Sequence, residues 1–142
     1  MRLTLEIEGE GAGPPLPGEG AALVAFMSFA LARGLGGAHP LVALAERMHE
    51  TFKVRLGPLT TFYENEAEDA EDLQKLELAW QEATPLYESL QAVAEVLATD
   101  ERSRALCDRG GAPGLPGQVD AALARLHEAR TAGRRVRLGY TL

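Results

Sequence analysis

The first and last residues of the chain alternate between apolar and polar side chains, and a period of two predicts strands with one buried face. The apolar positions that share this period are Met1, Leu3, Leu5 and Ile7 at the start and Val136, Leu138, Tyr140 and Leu142 at the end. An antiparallel pairing brings Glu8 opposite Arg135. The same register brings Glu6 opposite Arg137, and opposite charges across strands favour it. We therefore predict a two-stranded antiparallel sheet formed by the N- and C-terminal strands.

Between these strands the apolar residues follow helical spacing, which predicts four to five helices. The predicted helices cover, in order, residues 19–33, 40–56, 73–97, 100–108 and 116–132. The first is apolar almost all round, so it needs cover on several sides. Gly34, Gly36 and Gly37 are expected to end it. The whole pattern predicts an α+β fold that is mostly helical and forms a single globular domain over residues 1–142.

The third predicted helix carries the longest regular pattern in the chain. From Leu73 to Leu97 its apolar residues are spaced alternately by three and four, as in the a/d seam of a coiled coil. Pro85 lies on the outer face of this helix and is expected to kink it, or to restart it with Thr84 as the N-cap. Just before the helix, Leu59–Tyr63 fits helix and extended chain equally well.

The composition narrows the possible partners and compartments. Among 142 residues, 21 acidic and 14 basic side chains give a formal net charge of −7, which disfavours nucleic acid and anionic membranes as partners. A single cysteine, Cys107, excludes an internal disulfide and indicates a reducing compartment. The longest apolar stretch, Ala21 to Ala32, is too short to span a bilayer. We therefore expect a cytoplasmic protein without a cofactor.

One Glu-x-x-His pair is a candidate for metal binding. Glu46 and His49 lie three residues apart in the second predicted helix, so both project from one helix face, as di-metal carboxylate bundles require. Such bundles need the pair twice, and Ala124 stands where a glutamate would precede His127. The alternative interpretation is a histidine at the edge of the core stripe, beside a solvated carboxylate.

Six carboxylates in nine residues precede the third predicted helix. We call residues 64–72 the acidic segment, and its carboxylates are Glu64, Glu66, Glu68, Asp69, Glu71 and Asp72. Their spacing lacks the alternating ligands and central glycine of a calcium loop. Carboxylates at a helix N-terminus are stabilised by the helix dipole, and runs of like charge are usually solvated. The segment therefore predicts either a solvated helix start or a contact for a basic partner.

Two further patterns resemble anion sites. Gly9–Gly20 is rich in glycine and proline and is predicted to be a loop, but Glu10 and Glu19 oppose phosphate binding there. Four arginines cluster near the end of the chain, and they are Arg130, Arg134, Arg135 and Arg137. Pairing with the glutamates near the first strand is favoured over contact with RNA, since no exposed aromatic residue interleaves with these arginines.

The sequence contains no recognisable catalytic group, and three functions remain open. The first hypothesis is a non-enzymatic protein-interaction module, with a homodimer as the expected assembly because the a/d seam offers a surface to a second copy. The second is a small metal-dependent enzyme that uses Glu46, His49 and part of the acidic segment. The third is an acidic adaptor or inhibitor whose acidic segment docks on a basic protein surface, a contact that salt would weaken.

Overall fold

A computed structural model describes residues 1–33 and 38–142, so the glycines predicted to end the first helix, Gly34, Gly36 and Gly37, lie outside the described residues. The described α-helices are α1 (Ala21–Leu31), α2 (Pro40–Glu50), α3 (Ala70–Leu78), α4 (Ala83–Thr99), α5 (Glu101–Arg109) and α6 (Leu115–Ala132). The strands are β1 (Arg2–Ile7), β2 (Phe62–Glu64), β3 (Trp80–Gln81) and β4 (Val136–Thr141). The mostly helical α+β prediction is confirmed, but this part of the chain has six α-helices and four strands instead of four to five and two.

The terminal strands pair as their alternation predicts. β1 and β4 are antiparallel and in the predicted register. An Oε2 atom of Glu8 lies 2.6 Å from Nη2 of Arg135. The corresponding distance between Glu6 and Arg137 is 2.8 Å. Hydrophobic alternation and cross-strand charge therefore specify the same register, as a half-buried sheet requires.

The prediction of a two-stranded sheet is wrong, because β4 also pairs with two short strands from the middle of the chain. β2 runs parallel to the second half of β4, and β3 runs antiparallel to its first half. β4 is therefore the central strand, with β1 on one edge and β2 and β3 on the other. The segment Leu59–Tyr63, which fits both helix and extended chain in sequence, contains both: a 3-10 helix ends at Thr60, and β2 begins at Phe62.

Of the two outcomes expected at Pro85, the structure shows the restart, because β3, a strand that the pattern does not predict, separates α3 from α4. Pro85 gives the physical reason. It cannot donate a hydrogen bond to the carbonyl of Gln81, and its ring would clash with that carbonyl in a continuous helix. The helix restarts at Ala83 with Glu82 as its N-cap, two residues before the expected Thr84.

The second helix ends earlier than its pattern predicts. α2 stops at Glu50, and Lys53 in the turn that follows has a φ of 59°. The backbone N–H of Val54 closes this turn by donating to the carbonyl of Met48 at 3.0 Å. The apolar residue Leu56 still reaches the core, from the chain after the turn and not from a further turn of helix.

The core is built around α1, which packs against α2, α6 and β1. Its buried side chains point in several directions, as its apolar surface predicts, and they are Leu23, Val24, Phe26, Met27 and Ala30. The predicted a/d seam is buried only in α4, where Leu90 and Leu97 lie in the core, whereas Leu73 in α3 is 58% exposed.

None of the helices within 1–33 and 38–142 has both the length and the apolar character that crossing a bilayer demands.

Candidate interaction surface

Asn65 anchors the acidic segment to the sheet at the end of β2. Its backbone N–H donates to the carbonyl of Tyr140 at 2.8 Å. Its side-chain Nδ2 lies 3.2 Å from Oγ1 of Thr4 and 3.3 Å from Oγ1 of Thr141, so it spans β1 and β4. The amide group lies directly over Gly139, where a Cβ atom would collide with Oδ1 of Asn65. We call these contacts the Asn65 clip, and they fix the point at which the acidic segment leaves the sheet.

Two carboxylates of the acidic segment stabilise the start of α3. Oδ1 of Asp69 accepts a hydrogen bond from the backbone N–H of Asp72 at 2.9 Å. In return, Oδ2 of Asp72 accepts from the backbone N–H of Glu68 at 3.0 Å. This reciprocal arrangement satisfies N–H groups that lack partners at a helix start. Asp69 and Asp72 therefore have a local structural role, as the helix-start interpretation predicts.

Arg137 holds the other end of α3. Its Nη1 donates to the carbonyl of Leu76 at 3.1 Å, and its guanidinium carbon lies 4.2 Å from the centroid of the Trp80 ring. The same side chain forms the ion pair with Glu6 across the sheet. Cations near a helix C-terminus are favourable, and the stacking adds a cation–π contact. One arginine thus connects the sheet, β3 and the end of α3.

α3 buries none of its side chains although both of its ends are held. Leu73 is 58% exposed and Leu78 is 76% exposed. A nine-residue helix is too short to be stable by propensity alone, and most helices gain their stability from packing of one face. The exposed leucines therefore form apolar surface that no described residue of this chain covers.

The remaining carboxylates of the acidic segment are free of ion pairs within the described residues. The five ion pairs of that part of the chain involve other groups. The free carboxylates are all on exposed residues, and they are Glu64, Glu66, Glu68 and Glu71. The surface around α3 therefore combines apolar side chains with carboxylates that form no ion pair among the described residues.

A small depression lies beside these carboxylates and has a volume of about 200 Å³. Two tyrosines and three carboxylates line it together with one base, and the lining is Tyr63, Glu64, Glu66, Asp72, Lys75 and Tyr140. Aromatic faces and carboxylates are the groups that bind the ammonium of lysine or the guanidinium of arginine. Because its three carboxylates outnumber the one cation, Lys75, the depression is chemically suited to a basic side chain.

The pair predicted for metal binding lies elsewhere, on α2. Glu46 is half-buried, His49 is exposed, and both line an open depression of about 310 Å³ with Arg33 and Glu50. Arg33 carries a positive charge, which opposes cation binding at this place. Across residues 1–33 and 38–142, no three or more His, Cys, Asp or Glu side chains are grouped so that they could hold a metal ion. The structure does not bring the acidic segment to this pair.

The C-terminal arginines pair within the chain, as the favoured interpretation predicts. Besides the ion pairs of Arg135 and Arg137, Nε of Arg134 lies 3.8 Å from Oε2 of Glu10. The guanidinium of Arg130 lies 4.4 Å from the centroid of the Tyr87 ring. A hydrogen bond from Arg135 also lowers the pKa of Glu8.

In the glycine-rich loop, glycines leave room for the side chains of two arginines, Arg125 and Arg134. Gly9 and Gly13 have φ angles of 85° and 68°, which favour glycine. The guanidinium of Arg134 lies where a Cβ of Gly9 would be, and that of Arg125 lies where a Cβ of Gly13 would be. Nη2 of Arg125 also donates to the carbonyl of Gly11 at 2.9 Å. These contacts explain the glycines without a phosphate.

The sequence candidates therefore separate into two places, with the acidic segment beside α3 and the sheet, and Glu46 and His49 on α2. Asn65 and Arg125 were not predicted, although glycine inside a strand, here Gly139, signals close approach of another group. No protein-family profile, curated protein or solved structure matches the chain.

Proposed function

We propose that this chain is a non-enzymatic protein-interaction module that docks its acidic segment and α3 on a basic, partly apolar surface of a partner protein. The observation that carries the proposal is a helix fixed at both ends with no buried side chain. Leu73 and Leu78 expose apolar surface near these unpaired carboxylates, and apolar surface rimmed by polar groups is a mark of protein contacts. A reducing compartment such as the cytoplasm suits the free thiol of Cys107.

Charge supports a partner of opposite sign. Four carboxylates of the acidic segment have no ion pair in the described part of the chain, so a basic surface would gain Coulomb attraction without breaking an existing contact. The depression of about 200 Å³ beside Tyr63 would accept one lysine or arginine side chain of that partner. The exposed leucines would supply the apolar centre of the contact.

The arrangement of α3 and α4 supports a homodimer through this surface less than the sequence pattern does. The a/d seam that motivates it is interrupted at β3, and Leu73 and Leu78 project from a separate short helix. A two-fold contact would also place the acidic segment of one copy near that of the other, and like charges across an interface repel. The metal-dependent alternative is supported by no observation beyond the original spacing of Glu46 and His49.

Carbodiimide cross-linking in extract of the native host tests the docking proposal, because this reagent joins carboxylates to amines that are in contact. We expect cross-links that map to Glu66, Glu68 or Glu71 on this chain and to lysines of one partner. Yield should fall steeply as salt is raised, since the contact is between exposed charges. Cross-links that join only two copies of this chain would replace the proposal by the homodimer.

Two matched variants test whether the partner binds through the acidic segment or only through the overall negative charge of the protein. The triple variant Glu66→Gln, Glu68→Gln and Glu71→Gln should lose the partner while it retains the helical circular-dichroism signal of the wild type. The control removes three exposed carboxylates from α4 and α5, at Glu88, Glu95 and Glu101. Equal loss of the partner in both variants would contradict docking through the acidic segment. Leu78→Gln, compared with Leu31→Gln on α1, tests the apolar part in the same way.

A further inference from the structure

The outer edge of β1 leaves backbone groups unpaired. Glu8 donates its N–H to the carbonyl of Arg135 at 3.0 Å, and backbone direction alternates along a strand. The N–H and C=O groups of Leu3, Leu5 and Ile7 therefore point away from β4. Those of Ile7 bond to Gly11, but those of Leu3 and Leu5 have no hydrogen-bond partner within the described ranges.

This edge forms one wall of a groove of about 590 Å³. The opposite wall is the loop segment 12–16, and residues of α6, among them Ala121 and Arg125, also line the groove. The volume lies in the range of cavities that bind ligands specifically. We call this cavity the edge groove.

The shape of the edge groove favours a single extended peptide over a second copy of the sheet. Edge-to-edge pairing of two sheets needs an open strand edge, whereas here the loop stands opposite Leu3 and Leu5. The loop cannot fill the role of a neighbouring strand itself, because Pro14 and Pro15 have no backbone N–H to donate. A peptide laid between the two walls would pair with β1 in the manner of strand addition. Because Leu3 and Leu5 are only 2% and 3% exposed, the loop would have to move outward to admit it.

The charge of the groove favours an acidic peptide. Arg2 and Arg125 line it, and Glu19 is the one carboxylate in the lining. The Arg125 side chain is only 14% exposed, and its partner Glu128 contacts it through a single hydrogen bond of 3.2 Å. Its Nε has no hydrogen-bond acceptor among the described residues. A second carboxylate would complement this poorly solvated cation.

We propose that the edge groove binds an extended peptide segment of a partner protein that carries an acidic side chain. The peptide backbone exchanges hydrogen bonds with Leu3 and Leu5, and the acidic side chain lies beside Arg125. Side chains of an added strand alternate between its two faces, so every second residue of the peptide enters the groove. This site is separate from α3, and each can exist without the other.

Random decapeptides displayed on phage and selected on the intact chain 1–142 provide the probes. We expect selected peptides to share an aspartate or glutamate at a fixed position between β-branched residues, and synthetic copies to bind in fluorescence anisotropy. Replacing that acid by its amide should weaken binding roughly tenfold, since hydrogen bonds to charged groups contribute more than neutral ones. Absence of any enriched peptide would overturn the proposal.

Protein variants assign the binding to the groove. Arg125→Gln should weaken the acidic peptide roughly tenfold and leave its amide analogue unaffected. Arg134→Gln is the matched control, because Arg134 holds the same loop through the carbonyl of Glu8 but does not line the groove. Equal weakening by both variants, or loss of binding in the Glu66, Glu68 and Glu71 triple variant alone, would overturn the proposal.

Amide hydrogen exchange measured by NMR tests the strand addition directly. In the free protein the N–H groups of Leu3 and Leu5 should exchange faster than those of Thr4 and Glu6, which bond to β4. The selected peptide should slow exchange at Leu3 and Leu5. Protection of these two amides in the free protein that increases with its concentration would identify a second copy as the occupant and refute the proposal.

Discussion

Replacing Gly139 by alanine tests the Asn65 clip, because the new Cβ would collide with Oδ1 of Asn65. The side chain would have to leave its place over β4 and give up its bonds to Thr4 and Thr141. Each such bond stabilises a fold by about 0.5–1.5 kcal/mol, so the loss is about 1–3 kcal/mol. Alanine instead of glycine in a strand recovers about 0.5–1 kcal/mol. We therefore expect Gly139→Ala to lower the free energy of unfolding by about 1 kcal/mol.

Urea unfolding, followed by circular dichroism and by the fluorescence of Trp80, measures this change. The midpoint should fall while the slope with denaturant stays constant, which marks a change in stability alone. A double-mutant cycle with Asn65→Ala isolates the clip. In the Asn65→Ala background, Gly139→Ala should be neutral or stabilising by about 0.5–1 kcal/mol, because no side chain then occupies the space. A stabilising effect of Gly139→Ala in the wild-type background would refute the reasoning.

Three further predictions concern acid stability, thiol reactivity and backbone strain. Hydrogen bonds, first from Arg47 and then from Ser103, hold the pKa of Asp100 well below its usual value. The ionised Asp100 should therefore stabilise the fold at neutral pH, and this stabilisation should be lost as the pH falls below about 4. In urea unfolding, the Asp100→Asn variant should lose less stability on acidification than the wild type. Burial raises the pKa of Cys107 to about 11, so iodoacetamide should alkylate it in urea and not in the native state at neutral pH. Lys53→Gly should raise the melting temperature, because glycine relieves a left-handed conformation that costs other residues about 1–2 kcal/mol; a lower melting temperature would contradict this.

The terminal sheet could be predicted because all of its signals are local and agree. Alternation over six residues specifies each strand, and the pairs formed by Glu6 and Glu8 with arginines specify the register. The start of the fourth predicted helix at residue 100 is also close to the structure, where the side chain of Asp100 caps α5 by accepting from the N–H of Ser103. That residues 1–142 form a single domain stays a prediction.

The short strands could not be predicted, because contacts distant in sequence decide them. β2 and β3 have only three and two residues, so neither contains enough positions to show a period. The spacing of leucines continues through Trp80, although Arg137 and the edge of β4 hold that residue in a strand. A regular apolar pattern therefore indicated a helix, but not whether the leucines of α3 would be covered.

The two candidate surfaces also differ in how far a local sequence pattern predicts them. The exposure of the acidic segment follows from its charge, which favours water. The edge groove depends on the distance between β1 and a loop rich in proline, and no local pattern of Leu3, Leu5 or Arg125 reports that distance. Sequence reasoning thus locates the charged surface and misses the concave one.

The position of β4 in the sheet has a consequence for biosynthesis. All three other strands pair with it, yet a ribosome makes residues 136–141 after every one of them. The sheet therefore cannot assemble on a nascent chain until this segment has emerged, and until then β1, β2 and β3 lack the strand with which each of them pairs. Because the Asn65 clip and Arg137 both require β4, α3 takes its final place only after residues 136–141 have been made.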